Sequence, residues 1–97
     1  MPTFVALLSF TDQGIKTVKD TVQRAEAATA LGKRLGANIK ELFWTLGPYD
    51  VVAVVEAPDD ETATRFLLAV GSQGNVRTLT MRAFGKDETT RILAGLP

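Results

Sequence analysis

Apolar residues in the first ten positions fall at both parities, with Phe4, Ala6, Leu8 and Phe10 on one side of an extended segment and Val5 and Leu7 on the other. A strand over about Thr3 to Phe10 with that pattern needs cover on both faces. After Thr11-Asp12-Gln13-Gly14 the period changes. Ile15, Val18, Val22, Ala25, Ala28, Leu31 and Leu35 recur every three or four residues, with Lys16, Lys19, Asp20, Gln23, Arg24, Lys33 and Arg34 largely between them. That spacing predicts an amphipathic helix with one apolar stripe, irregular in its early part around Thr17 to Thr21. Gly36, which accepts the left-handed conformation, is its expected stop.

Ile39 to Leu46 and Tyr49 to Ala57 read as two strands of a hairpin joined by Gly47-Pro48, although Pro suits the favoured two-residue turn poorly and leaves its type open. Pro58-Asp59-Asp60-Glu61 ends the second strand and starts a helix, because Asp59 can accept from free amides and acids suit the positive end of the dipole. Ala63, Phe66, Leu67 and Val70 form its stripe, and Gly71-Ser72-Gln73-Gly74 closes it. Asn75 to Phe84 then reads as a strand weighted by Val76, Leu79, Met81 and Phe84, and a short terminal helix carries Ile92, Leu93 and Leu96.

The order β-α-β-β-α-β plus a short helix predicts an α+β, ferredoxin-like domain over residues 1–97, with the first and third strands central in an antiparallel four-stranded sheet. Two helices cover one face of such a sheet. Pairing across Gly47-Pro48 puts Thr45 opposite Asp50 and Phe43 opposite Val52, so Phe43, Thr45, Asp50, Val52, Val54 and Glu56 share the second face. Trp44 and Tyr49 then face the helices, unless a bulge reverses the assignment. The second face is too apolar to leave in water, and a second subunit laid sheet against sheet would bury it, which predicts a homo-oligomer, a dimer or larger.

Composition narrows the chemistry. Eleven basic and eleven acidic residues give a net charge of zero, so no overall field draws the chain to nucleic acid or an anionic membrane. RNA-recognition modules share this strand order but stack bases on central-strand aromatics, and Val51 to Glu56 has none. Neither nucleic acid nor membrane is an expected partner. The first strand lacks the basic residues and length of an export signal, and no apolar run reaches the roughly 18–20 residues that cross a bilayer, so the expected location is cytoplasmic. With no Cys and no His, thiolate catalysis, a Ser-His-Asp triad, a His-ligated haem and the common zinc sites are excluded. No cofactor and no metal are expected.

Phe43-Trp44-Thr45-Leu46-Gly47-Pro48-Tyr49-Asp50, continued through Val55-Glu56-Ala57-Pro58-Asp59-Asp60, resembles the GYD domain family of small bacterial proteins, named for its Gly-x-Tyr-Asp turn. The likeness runs over nearly the whole chain and includes Thr11-Asp12-Gln13-Gly14, Arg24-Ala25, Gly71 and Gly74-Asn75-Val76-Arg77-Thr78. The resemblance implies a ferredoxin-like fold of the dimeric α/β-barrel kind. That architecture includes cofactor-independent oxygenases, haem enzymes and stress-response proteins, so the resemblance implies no single activity.

The actors left are carboxylates, Tyr49, hydroxyls and cations. Asp50, at the start of a strand on the predicted intersubunit face, is a candidate ligand-orienting acid or general base, with Tyr49 assisting proton transfer. The competing reading is a turn acid that accepts from nearby amides. Glu56 shares its parity but lies roughly 20 Å along the strand, too far for a paired-carboxylate site in one chain. Trp44 and Tyr49 are either pocket aromatics or core pieces with a satisfied polar tip. Thr78, Thr80 and Arg82 share a parity and form either an anion-binding group or a solvated edge. Asp59-Asp60-Glu61 reads as a helix cap, and glycines 32, 36, 71 and 74 as helix ends. The leading expectation is a homo-oligomer that holds a small apolar or amphipathic ligand between sheet faces through Phe43, Thr45, Asp50, Val52, Glu56, Thr80 and Arg82. The alternatives are a cofactor-independent oxygenase- or isomerase-like enzyme using Asp50 or Tyr49, and a purely structural or regulatory assembly module.

Overall fold

The computed structural model describes residues 1–97. The chain forms β1 (Thr3–Phe10), α1 (Asp12–Lys16), a 3-10 turn (Val18–Asp20), α2 (Thr21–Leu35), β2 (Asn38–Trp44), β3 (Val51–Glu56), α3 (Asp60–Ser72), β4 (Val76–Ala83) and α4 (Lys86–Ala94). The strands make one antiparallel sheet in the order β2-β3-β1-β4, with β1 and β3 central as the ferredoxin-like reading predicts. No helix is long and apolar enough to cross a membrane.

α2 and α3 cover one face. The core there joins Phe4 and Ala6 of β1, Ala53 and Val55 of β3, and Ala63, Phe66 and Leu67 of α3. The fit is close, because a Cβ added at Gly32 of α2 would lie 3.2 Å from the Phe66 ring. Burial on β3 alternates strictly, with Val51, Ala53 and Val55 buried and Val52, Val54 and Glu56 half-buried on the open side.

The first helix departs from the single stripe that its spacing predicts. Thr11 caps α1 by accepting from the Gly14 N–H, and the chain breaks at Thr17 before restarting at Thr21. The restart changes the inward face to Thr21, Arg24, Ala25, Ala28 and Leu31, which leaves Ile15, Val18 and Val22 exposed. α1 is pinned to the loop before β4, where a Cβ on Gly14 would meet the Asn75 carbonyl oxygen at 1.9 Å, so only glycine fits.

The hairpin keeps its predicted register and changes its turn. Phe43 faces Val52, Trp44 faces Val51, and the Thr45 N–H donates to the Asp50 carbonyl at 2.8 Å. The regular strands stop at Trp44 and resume at Val51, so Tyr49 belongs to the loop and not to a strand. Gly47 takes φ 142°, a conformation that a side chain disfavours, and Pro48 supplies no N–H, so a tight two-residue connection gives way to the longer Leu46–Tyr49 loop. A bulge at Lys40 shifts the register between Ile39 and Glu41. It lies beyond Phe43, so it leaves that end's facing unchanged while turning Ile39, opposite Val55, toward the helices.

α4 stands away from the rest of the domain, with Ile92, Leu93 and Leu96 exposed. The radius of gyration is 14.6 Å, against about 12–13 Å for a compact chain of this length.

Candidate functional site

The turn before β3 works first as a clasp. Asp50 uses its whole peptide unit and its side chain: its N–H donates to the Leu8 carbonyl at 2.9 Å, its carbonyl accepts from Thr45, and its Oδ2 accepts from the Phe10 N–H at 2.8 Å. The carboxylate thus replaces the missing backbone acceptor where the β1–β3 ladder runs out, and it lies along the sheet end instead of standing off its open face. Thr45 Oγ1 donates to the Tyr49 carbonyl at 2.6 Å and fixes the loop. Trp44, on the helix side as predicted, donates from Nε1 to Thr21 Oγ1 at 3.0 Å and ties β2 to the start of α2.

Behind this clasp lies a feature that the residue pattern did not announce. A cavity of about 80 Å³ separates α2 from the sheet, floored by Leu8, Phe10, Leu42 and Val51 and roofed by Ala25 and Ala28. Alanines stand where larger residues would fill the layer, and in sequence they look like any other members of a helical stripe. Arg24 borders the cavity. Its guanidinium donates to the Thr17 carbonyl at 3.2 Å, to Thr17 Oγ1 at 2.8 Å and to the Gly14 carbonyl at 3.2 Å, and it sits 5.9 Å from the Phe10 ring centre. Those bonds hold the broken helix together, a non-periodic role that spacing cannot reveal.

The open face gathers Phe43, Val52 and Val54 with Val5 and Leu7, because directly opposed residues share a face and the registers pair Phe43 with Val52 and Val5 with Val54. β4 adds Leu79 opposite Leu7 and Met81 opposite Val5. Phe43, Leu79 and Met81 are 55%, 47% and 46% exposed, values that leave large apolar side chains bare on a continuous surface. Glu56 borders this face and pairs with Lys40 at the bulge, 3.8 Å apart.

Thr80 and Arg82 do not join this group. The register sets Arg82 opposite Phe4 and Thr80 opposite Ala6, both core residues, which puts them on the helix side. There they line a groove against Thr64, Leu67 and Leu68 of α3. Arg82 is committed to local partners: it donates to the Thr3 and Ala83 carbonyls, pairs with Glu88 at 3.0 Å, and lies 4.5 Å from the Phe84 ring centre and 5.8 Å from that of Phe4. The Arg82 hydrogen bond, assisted by the Gly85 N–H, holds the Glu88 carboxyl below its usual range. This cluster anchors α4 to β4. The seven predicted ligand residues therefore fall into three places: Phe43, Val52 and Glu56 on the open face, Thr45 and Asp50 in the clasp, and Thr80 and Arg82 beside α3.

The acidic run at α3 is a cap, as its position suggests. Asp59 Oδ1 accepts from the Thr62 N–H at 2.8 Å, and that bond, chiefly, lowers the Asp59 carboxyl below its usual range.

The GYD domain profile matches residues 4–93. A Thermus thermophilus protein named glutamine synthetase and cystathionine beta-lyase binding protein is 40% identical over 84 residues, spanning 86% of this chain and 88% of its own. Among solved structures, TTHA0845 from Thermus thermophilus superposes with a TM-score of 0.58 at 26% identity, covering 88% of this chain and 95% of that one. FFRP-DM1 superposes with a TM-score of 0.63 at 20% identity, over 87% of this chain and all of the other, a likeness of fold.

Proposed function

The chain belongs to the GYD domain family, and from that premise we propose that it is a homo-oligomeric, protein-binding regulatory module. Two copies pack open sheet face to open sheet face, and the assembly docks on a metabolic enzyme of the class for which the Thermus relative is named, a glutamine synthetase or a cystathionine beta-lyase. The observation that carries the reading is the bare apolar face. Phe43, Leu79 and Met81 surround Val5, Leu7, Val52 and Val54 with no helix above them, and patches of that kind mark protein contacts. The name of the 40% identical relative supports the choice of a protein partner over a small molecule. The engagement of Asp50 with the Phe10 N–H supports a structural duty for the one acid that the turn offers.

A small apolar ligand held between the two faces, against Phe43 and Val52, is a second reading that the same bare surface supports. Light scattering and surface binding separate these readings. The expected result is an assembly larger than one chain at micromolar concentration, dissociated by Val52→Lys, and saturable binding to purified glutamine synthetase or cystathionine beta-lyase of the same organism. A stable monomer overturns the assembly. Failure to bind either enzyme, with a small metabolite retained by the assembly in mass spectrometry, transfers the conclusion to the ligand reading.

A further inference from the structure

The two edges of the sheet differ in kind. β2 is interrupted by the bulge at Lys40 and carries the Lys40–Glu56 ion pair beside it. Bulges and lysines are how sheets discourage strangers from pairing with an exposed edge. β4 has neither bulge nor lysine: it runs from Val76 to Ala83 in unbroken register with β1, packs mainly against β1 and α3, and keeps its charges, Arg77 and Arg82, near its two ends, where Arg82 is paired with Glu88 of α4.

The alternation of the ladder identifies which of its groups are free. On β1 the Leu8 carbonyl and the Phe10 N–H address Asp50, so even-numbered residues bond toward β3 and odd-numbered ones toward β4. The Thr11 N–H, which donates to the Asn75 carbonyl at 3.0 Å, follows the same rule. β4 residues opposite odd β1 positions are Arg77, Leu79, Met81 and Ala83, and these close the ladder. The N–H and C=O groups of Val76, Thr78, Thr80 and Arg82 therefore point outward, a donor and acceptor row on an edge whose middle, Thr78 to Met81, carries no charge.

We infer that β4 pairs with β4 of a second copy, antiparallel across a two-fold axis, so that two four-stranded sheets join edge to edge. The strand is its own complement. An axis through Thr80 sets Leu79 opposite Met81 of the second copy, twice, on the open face, where both are now about half exposed. The same register sets Thr78 opposite Arg82 and Arg77 opposite Ala83, so no two like charges meet. On the helix side, exposed Leu68 of α3 lies beside Thr78 and Thr80 and flanks the seam. A strand of another protein would have to supply this match by chance, whereas a second copy supplies it by symmetry. This contact runs along the backbone edge of β4 and the face-to-face one over the open side of the sheet, with Leu79 and Met81 bordering both, and the two together extend the assembly beyond a dimer.

Thr80→Pro tests the pairing, because it removes an outward donor and leaves every bond to β1 in place. Thr80→Lys, which keeps the backbone intact and guards the edge with a charge, serves if the proline variant does not fold. The expected result is a particle of half the wild-type mass with native circular dichroism. In concentrated wild-type protein, the Thr78, Thr80 and Arg82 amides should exchange roughly tenfold or more slowly than after dilution. Wild-type mass in both variants overturns the pairing, as do outward amides that exchange at unprotected rates at high concentration. Protection that arises only when glutamine synthetase is added also overturns it, and assigns the edge to a foreign strand. Val52→Lys keeps the two interfaces apart: if it alone lowers the mass, the face contact stands and the edge contact fails.

Discussion

The two faces of the sheet are built from similar side chains in opposite circumstances. Along β3, Val51, Ala53 and Val55 are buried under α2 and α3, while Val52 and Val54, chemically the same, lie on the side that no helix reaches. On β1, Phe4 and Ala6 are buried, and Val5 and Leu7 share the open side with exposed Leu79 and Met81. The strands do not distinguish the faces; the connections do. A β-α-β-β-α-β chain has two helices to give and right-handed crossovers to place them, so both land on one side. Apolar strength on the other side has no intramolecular use, and it is there that the assembly is proposed.

The largest effect that would test this contrast is on the covered side. Phe66 is 1% exposed and touches Gly32 across the α2–α3 contact. Phe66→Ala should lower the unfolding free energy by about 3–5 kcal/mol, measured by urea titration at a concentration where particle mass does not change. A loss no larger than that of Phe43→Ala on the open face would erase the distinction between the faces.

Next in size is the clasp. Asp50→Ala leaves the Phe10 N–H without its acceptor at the end of the sheet, which should cost about 1–2 kcal/mol, and Asp50→Asn, retaining an oxygen, should cost less. Loss of enzyme binding in Asp50→Asn at unchanged stability would instead give this residue a contact role.

Much of this architecture was readable in advance, and the exceptions share a cause. Strand order, the Phe43–Val52 register and the Thr45–Asp50 pairing follow from alternation and a Gly-Pro turn, which are local signals. The facing of Thr80 and Arg82 depends on how β4 aligns with β1, residues almost a full chain length away, and local pattern carries no such information. The break at Thr17 is held by Arg24, whose bonds to Gly14 and Thr17 follow no period. The bulge at Lys40 did leave a trace, since Ile39 and Leu42 both face the helices although their spacing of three does not suit a regular strand. The site suffered most from these gaps: the five hairpin residues, chosen by a cross-strand register that holds, divide where Thr45 and Asp50 leave the regular strands, and Thr80 and Arg82, chosen by parity on β4 alone, fall on the helix side.

The smallest effect concerns the helix that makes the covered face. Asp59 caps α3, and its carboxyl titrates below the usual carboxylate range because it accepts from the Thr62 N–H. A group whose folded pKa is depressed contributes fully above its unfolded value, and that contribution fades as pH falls through the carboxylate range toward the folded value. Stability should therefore decline on acidification across that window, and Asp59→Ala should be slightly less stable at neutral pH with a flatter acid limb in thermal melts. Glu88, lowered by Arg82, follows the same sign but holds α4 rather than the sheet. Glu88→Gln should thus flatten the α4 signals of Ile92 and Leu93 against pH in methyl spectra while leaving the core resonances of Val55 and Leu67 in place. If acid moved the core and the α4 signals together in both variants, the cover of the sheet and the arm beyond it would be one cooperative unit, and the contrast between a finished face and an unfinished one would have to be redrawn.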